Sequence, residues 1–272
     1  MKIHGNQHRD KCPICGSRDF LKNHWRIPYM NIEPVVSGGV KISMAPLLSS
    51  DCKIYSWSLC QACGSTFMDP FAPSKESYKS RMTHAEKFIE GRPNMKGGFE
   101  GRWGVYSKFV KPEYRSFLDA GCGAGQYLWL AHEGEHPWDT LTGWELSEHS
   151  VRAINYNSPE TVQGGCEVAI EADVVDLDIP FEPVEQFDFI VCSECLEHFE
   201  QPTIAMANLV KALAPGGRFF FTCQSPTGGL PIRPAEPIYA SKKGMELLVA
   251  EMGLNILYFK DGGGRWLICA ER

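Results

Sequence analysis

LDAGCGAGQYL, residues Leu118 to Leu128, is the stretch whose reading decides the fold. An apolar run closes at Leu118, and Asp119 stands where a strand ends. Gly121, Gly123 and Gly125 follow at every second position, and Gln126 to His132 reads as a helix. Glycines at that spacing let backbone approach a ligand where any Cβ would obstruct it. They also leave the N–H groups of the helix start facing outward. Strand, glycine turn and helix in this order open a doubly wound sheet, whose ligands bind outside the carboxyl ends of the strands. The spacing departs from the Gly-x-Gly-x-x-Gly of dinucleotide sites. Such a turn also serves plain strand–helix packing, so the sequence downstream has to decide.

Downstream, GWELSEHSV (Gly143–Val151) reads as a second strand ending in Glu145, with Ser147 as cap of the next helix. A strand-end acid there suits a ribose, whose neighbouring hydroxyls donate to one carboxylate. EADVVDLDIPF (Glu171–Phe181) places Asp173 and Val174 at the end of a third strand, where an adenine edge can be read. FDFIVCSECLEHF (Phe187–Phe199) is a fourth strand running into an acidic turn. In ALAPGGRFFFTCQSP (Ala212–Pro226) a helix ends at Pro215-Gly216-Gly217 and a fifth strand begins.

With these five motifs in order, about residues 99–272 resemble the class I S-adenosylmethionine-dependent methyltransferases. The resemblance implies an α/β fold, a doubly wound, seven-stranded Rossmann-like sheet, and S-adenosylmethionine as cofactor. It implies that Asp119 and the backbone of Gly121, Cys122, Gly123 and Gly125 hold the methionine part. Glu145 would hold the ribose, Asp173 with Val174 the adenine, and Leu146 and Ser193 would complete the cofactor site. Direct displacement at the methyl group needs in-line alignment, exclusion of water and, for a hydroxyl acceptor, a base. Alignment alone supplies about 7–11 kcal/mol of such a barrier. Glu197 and His198 follow the fourth strand, and a histidine of pKa about 6.5 suits proton removal at neutral pH. The plainer role for both is to orient the turn or line the pocket.

The N-terminal third is a different object. Cys12-Pro13-Ile14-Cys15-Gly16 and Cys60-Gln61-Ala62-Cys63-Gly64 are near-copies of one knuckle, each presenting two thiolates on a tight turn. Cys12, Cys15, Cys60 and Cys63 together make the closed ligand set of a structural zinc, with no open position for water. The plainer alternative is four ordinary reduced cysteines. Between the knuckles, Phe20–Trp25, Val35–Ile42 and Ile54–Leu59 read as strands of a small sheet. Cys192-x-x-Cys195 has no partner knuckle and reads as buried strand and helix cysteines. Cys52 likewise lacks a paired neighbour.

Three regions are expected: residues 1–67 as a zinc-knuckle domain, 68–111 as a linker with substrate-proximal helices, and 112–272 as the cofactor-binding domain. Within the second, Ser74 caps a helix carrying Tyr78 and Arg81. Pro93 to Gly104 reads as irregular, and Trp103 and Tyr106 lead into a helix ending near Pro112. Ser225 to Ile238, with Arg233 and Glu236, is long and punctuated enough to cover a pocket.

The chain has 272 residues and a formal charge of −6, without a basic block. That disfavours nucleic acid and anionic membrane as partners. No apolar run reaches the length of a membrane span and no secretory leader is evident. With 11 cysteines in strands or Cys-x-x-Cys pairs, a reducing, cytoplasmic setting is expected. A zinc module ahead of such a domain resembles bacterial methyltransferases of nucleotide-linked sugars and related metabolites. That resemblance implies O- or C-methylation of a small, sugar-containing acceptor. RNA methylation is one alternative, and an inactive, zinc-organised interaction protein is another. The sequence leaves the oligomeric state open.

Overall fold

The computed structural model describes residues 8–29, 53–69, 79, 88–89, 92–96, 98–159, 168–225 and 238–272. The expected strand Val35–Ile42, Cys52, Ser74 with the helix carrying Tyr78 and Arg81, and residues 226–237 with Arg233 and Glu236 lie outside the described residues.

In chain order the strands are β1 (Phe20–Tyr29), β2 (Lys53–Cys60), β3 (Thr66–Met68), β4 (Phe88–Ile89), β5 (Arg92–Pro93), β6 (Ser116–Ala120) and β7 (Thr140–Glu145). They continue as β8 (Ile170–Val174), β9 (Phe187–Cys192), β10 (Leu213–Gln224), β11 (Ile238–Tyr239), β12 (Asn255–Asp261) and β13 (Arg265–Glu271). The helices are α1 (Phe99–Tyr106), α2 (Gln126–His132), α3 (Glu148–Asn157), α4 (Pro202–Ala212) and α5 (Lys242–Glu251).

Seven strands form one sheet in the order β12-β13-β10-β9-β6-β7-β8. β6 lies parallel to both β7 and β9, and β9 is parallel to β10. The chain therefore starts near the middle, winds outward through β7 and β8, then returns to the other side of β6. That reversal opens a crevice at the carboxyl ends of β6 and β9. β13 enters antiparallel between β10 and β12.

Both faces of this sheet are covered, so its central strands are apolar on both sides. Leu118, Ile190, Phe219 and Phe221 point to one face, among residues of α4 and α5. Phe117, Phe189, Val191 and Phe220 point to the other, among residues of α2 and α3. Each such fully buried side chain is worth about 1.5–3 kcal/mol over exposure. The expected cap is present: Ser147 Oγ accepts from the N–H of Ser150 at the start of α3.

Three readings need correction. The helix expected to end at Pro215-Gly216-Gly217 ends at Ala212, and β10 already runs through those residues from Leu213. Pro93–Gly104 is not irregular throughout, because α1 begins at Phe99. Gly101 and Gly104 each cost a helix about 1 kcal/mol, but aromatic packing outweighs that. Phe99 and Tyr106 pack against Tyr127 at ring separations of 5.5 and 5.4 Å, and Trp103 meets Phe117 at 5.6 Å. The helix expected to run on toward Pro112 instead ends at Tyr106, followed by one 3-10 turn, Ser107–Phe109.

The N-terminal cysteine knuckles carry a second sheet, β1-β2-β3-β11. Its fourth strand, β11, comes from the far end of the chain and pairs antiparallel with β3. Cys12, Ile14, Cys60, Cys63 and Phe67 fall in the same apolar cluster as Met245 and Leu248 of α5. No helix among the described residues is long and apolar enough to cross a membrane.

Candidate active site and cysteine cluster

A cavity of about 310 Å³ opens at the carboxyl ends of β6, β7 and β9. Asp119, at the end of β6, forms its floor and is 1% exposed. Its Oδ2 has no hydrogen-bond partner among the described residues. Burial, and secondarily the charge of Glu145, push the Asp119 carboxyl well above the usual range. A buried carboxyl oxygen without a donor is costly, and a cationic or N–H-bearing ligand group would satisfy it.

The glycine turn follows with positive φ at Gly121, Gly123 and Gly125, at 71°, 60° and 78°. A Cβ on Gly121 would also collide with the Cys195 sulfur. Glu145, across the turn at the end of β7, accepts from Gly123 N–H at 2.9 Å through Oε2. Its Oε1 accepts from Leu146 N–H at 2.9 Å and Ser147 N–H at 3.1 Å. The carboxylate thus pins the turn to the start of α3 and still faces the cavity.

After β9, the chain passes Ser193, Glu194 and Cys195 along the cavity wall. Glu194 has φ 60°, the one positive φ outside glycine among the described residues. Its N–H donates to Thr222 Oγ1 at 2.8 Å and its carboxylate pairs with Arg265, which together hold a conformation costing about 1–3 kcal/mol. Ser193 Oγ lies 3.0 Å from Tyr106 Oη and 3.2 Å from Tyr127 Oη, and Arg102 Nε donates to Tyr127 Oη at 2.9 Å. Burial pushes both phenols up, keeping them neutral. The hydrogen bond with Cys192, together with burial, pushes the Cys195 thiol up. Cys195 is therefore a poor nucleophile.

Of the residues expected at the site, Asp119, Gly121, Cys122, Gly123, Glu145, Leu146, Ser193 and His198 all line the cavity. Gly125 lies just behind the wall, as the N-cap of α2. Glu197 is buried behind the turn, at 1% exposure. The structure does not bring Asp173 and Val174 into the wall. They end β8 as exposed residues, paired in register with Trp144 and Glu145. The chain reaches the cavity one residue later, where Val175 N–H donates to the Glu145 carbonyl at 3.0 Å, and Val175, Asp176, Leu177 and Asp178 form that side. The sequence reading also missed Phe99, Arg102, Gln126, Tyr127, Phe199 and Glu200. A sharper helical reading of FEGRWGVY would have placed Phe99, Arg102 and Tyr106 on one face.

These residues fit S-adenosylmethionine. Asp119 offers its partnerless oxygen to an amine, and Glu145 stands where two hydroxyls can donate. Gly121 leaves room that a side chain would fill. Among the described lining residues, the carboxyl groups of Asp119, Glu145, Asp176, Asp178, Glu194 and Glu200 accompany one guanidinium, Arg102, and Arg265 pairs with Glu194 from outside the wall, an acidic balance suited to a sulfonium.

At the other end of the second sheet, the thiol sulfurs of Cys12, Cys15, Cys60 and Cys63 all lie within 4.8 Å of one another. Cys12 and Cys63 are 3.9 Å apart, Cys15 and Cys60 3.6 Å. Four sulfurs each ~2.3 Å from a common centre are separated by ~3.8 Å in a tetrahedron, so the set fits one zinc ion. Crowding splits the thiols: the Cys12 hydrogen bond lowers Cys63 to about 5, while burial raises Cys15 to about 11. A bound cation would hold all four as thiolates.

Residues 99–264 match a family described as methyltransferase domain. The ubiquinone biosynthesis O-methyltransferase of Coxiella burnetii is 33% identical over 106 residues, 39% of this chain and 42% of that protein. The same-named protein of Idiomarina loihiensis is 29% identical over 108 residues, again spanning 42% of its length. An S-adenosylmethionine dependent methyltransferase from Mesorhizobium loti superposes with a TM-score of 0.52 at 20% identity, covering 64% of this chain and all of that one. That last identity carries the fold alone.

Proposed function

We propose that this chain, which belongs to the methyltransferase-domain family, transfers the methyl group of S-adenosylmethionine to an oxygen of a small acceptor. The observation that carries this reading is the partnerless, buried Asp119 oxygen beside a glycine turn pinned by Glu145. When bound, the cofactor supplies a sulfonium methyl open to displacement. Asp119 holds its amine, the Gly121–Gly123 backbone lies along the methionine part, and Glu145 takes the ribose hydroxyls. Val175 to Asp178 cover the base in place of Asp173 and Val174. Phe99 and Phe199 exclude water, and His198 accepts the proton of an acceptor hydroxyl.

Acceptor class follows from the wall. Phe99 and Phe199 beside Gln126, Arg102 and Glu200 suit a polyhydroxylated ring, stacked on one side and hydrogen-bonded on the other. A sugar-containing acceptor is our reading. A phenolic ring is the second, favoured by the O-methylation that the names of the Coxiella and Idiomarina proteins state. The cysteine cluster binds structural zinc in this account, and the free thiols of the other described cysteines suit a reducing, cytoplasmic setting.

The test is incubation with methyl-labelled S-adenosylmethionine and separate pools of nucleotide sugars, phenols and RNA. Label is expected in the sugar pool; transfer to RNA alone would overturn the small-acceptor reading. No transfer to any class and no cofactor binding would favour an interaction protein. His198→Asn should lose most turnover while keeping cofactor affinity, and near-normal turnover would remove His198 as the base.

A further inference from the structure

Arg9 sits just ahead of the first knuckle, yet its side chain reaches the cavity wall. Its backbone N–H donates to Asp69 Oδ1 at 3.1 Å, and the His8 ring lies 3.1 Å from the same oxygen. Asp69 is buried, directly follows β3, and donates its own N–H to the Ser56 carbonyl at 2.9 Å. The lead-in to one knuckle is thereby fastened to the strand that leaves the other. From there the Arg9 guanidinium donates to the Glu200 carbonyl at 2.9 Å. Glu200 N–H donates in turn to Asp178 Oδ2 at 3.3 Å, and Gln201 N–H to Asp178 Oδ1 at 2.8 Å. Asp178 and Glu200 both line the cavity.

An arginine from the cysteine-bearing segment thus clamps Glu200 on the cavity wall, and through the Glu200 N–H it steadies Asp178. Its place depends on the Cys12 turn, where Gly16 N–H donates to the Cys12 carbonyl at 3.0 Å and Cys12 N–H to the Ser17 carbonyl at 2.7 Å. Metal bound at the four thiols fixes that turn. Without it, the four sulfurs have no common centre tying the two knuckles together, so the Arg9 clamp loses its anchor.

We propose that Arg9 is a positioning residue linking the two sites, so that metal at the cysteine cluster and ligand in the cavity each strengthen binding of the other. The proposal rests on the zinc and cofactor assignments above. Linkage is reciprocal: whatever factor zinc adds to ligand affinity, the ligand adds to zinc affinity.

The experiment uses the full chain and S-adenosylhomocysteine as the probe. Its affinity is measured by calorimetry with zinc loaded and after zinc removal. Zinc affinity is measured against a chromophoric chelator with and without saturating S-adenosylhomocysteine. We expect at least about a fivefold gain in each direction, the low end of ordinary couplings between sites. Arg9→Ala should still hold one zinc per chain but bind S-adenosylhomocysteine more weakly, with the mutual gain abolished, and Arg9→Lys should restore part of it. Equal zinc affinity with and without the probe, or a full mutual gain surviving in Arg9→Ala, overturns the proposal. Should the zinc-free chain unfold, the chelator measurement on loaded protein still decides. A wild-type chain that binds no zinc or no S-adenosylhomocysteine defeats the underlying assignments, and this proposal with them.

Discussion

Asp119 is held where its charge is disfavoured, with burial and the neighbouring Glu145 both keeping its carboxyl protonated above the normal range. In the ligand-free protein this group contributes most below its unfolded pKa of about 3.9, and the contribution is lost as pH rises through the folded value. A ligand ammonium reverses the preference by requiring the carboxylate. Affinity for S-adenosylhomocysteine should therefore rise with pH across the range above the ordinary carboxylate pKa, with protons released on binding. Calorimetry in two buffers of different ionisation enthalpy measures the release; none, with pH-independent affinity from mildly acidic to neutral pH, would contradict the role. Asp119 was legible in the sequence because a strand-end acid before spaced glycines has few other uses. Arg9 and Arg102 were not, since a lone basic residue carries no pattern and their partners lie far along the chain.

Among the elements, the turn after β6 is tightly confined. Gly121 has φ 71°, and a Cβ there would run into the Cys195 side chain that follows β9. Gly121→Ala is expected to cost about 1–3 kcal/mol from overpacking, besides the left-handed backbone cost of roughly 1–2 kcal/mol. Cys195→Ala in the same chain should recover much of the overpacking part. Denaturant unfolding of the two single variants and the double variant reads that coupling, and strict additivity would show that the two residues do not meet. Apolar runs punctuated by glycine and acid made β6 to β9 readable, each close to its observed place, whereas β10 begins at Leu213, ahead of the Pro215-Gly216-Gly217 expected to end the helix before it. α1 was misread because Gly101 and Gly104 depress local propensity, while the aromatic contacts that stabilise it come from α2 and β6. The shift from Asp173 and Val174 to Val175–Asp178 has a similar origin. Strand pairing with β7 sets where β8 leaves the sheet, and a single strand's sequence does not encode its partner's register.

Across the whole molecule, the cysteine cluster is built into the main body. Ser241 caps α5 by accepting from Gly244 N–H at 2.9 Å, and its hydroxyl donates to the Cys63 carbonyl. Lys243 Nζ donates to the Ala62 carbonyl at 2.7 Å, and β11 completes the N-terminal sheet. The paired knuckles announced the cluster in the sequence, but nothing there announced that α5 would close over it. Zinc removal should lower the thermal midpoint of one shared unfolding transition, seen alike in far-ultraviolet circular dichroism and tryptophan fluorescence. A separate early transition, with the seven-stranded sheet melting at its original temperature, would show that the two sheets are energetically independent. In the proposed cofactor site, the crevice between β6 and β9 binds S-adenosylmethionine through Asp119 and Glu145. Titrating S-adenosylmethionine into wild type and Glu145→Ala by calorimetry tests it most directly. Loss of charge-assisted hydrogen bonds worth about 1.5–3 kcal/mol each predicts one site per chain in the wild type and binding weakened about tenfold or more in the variant. The same affinity in both proteins, or no saturable binding in the wild type, would contradict it.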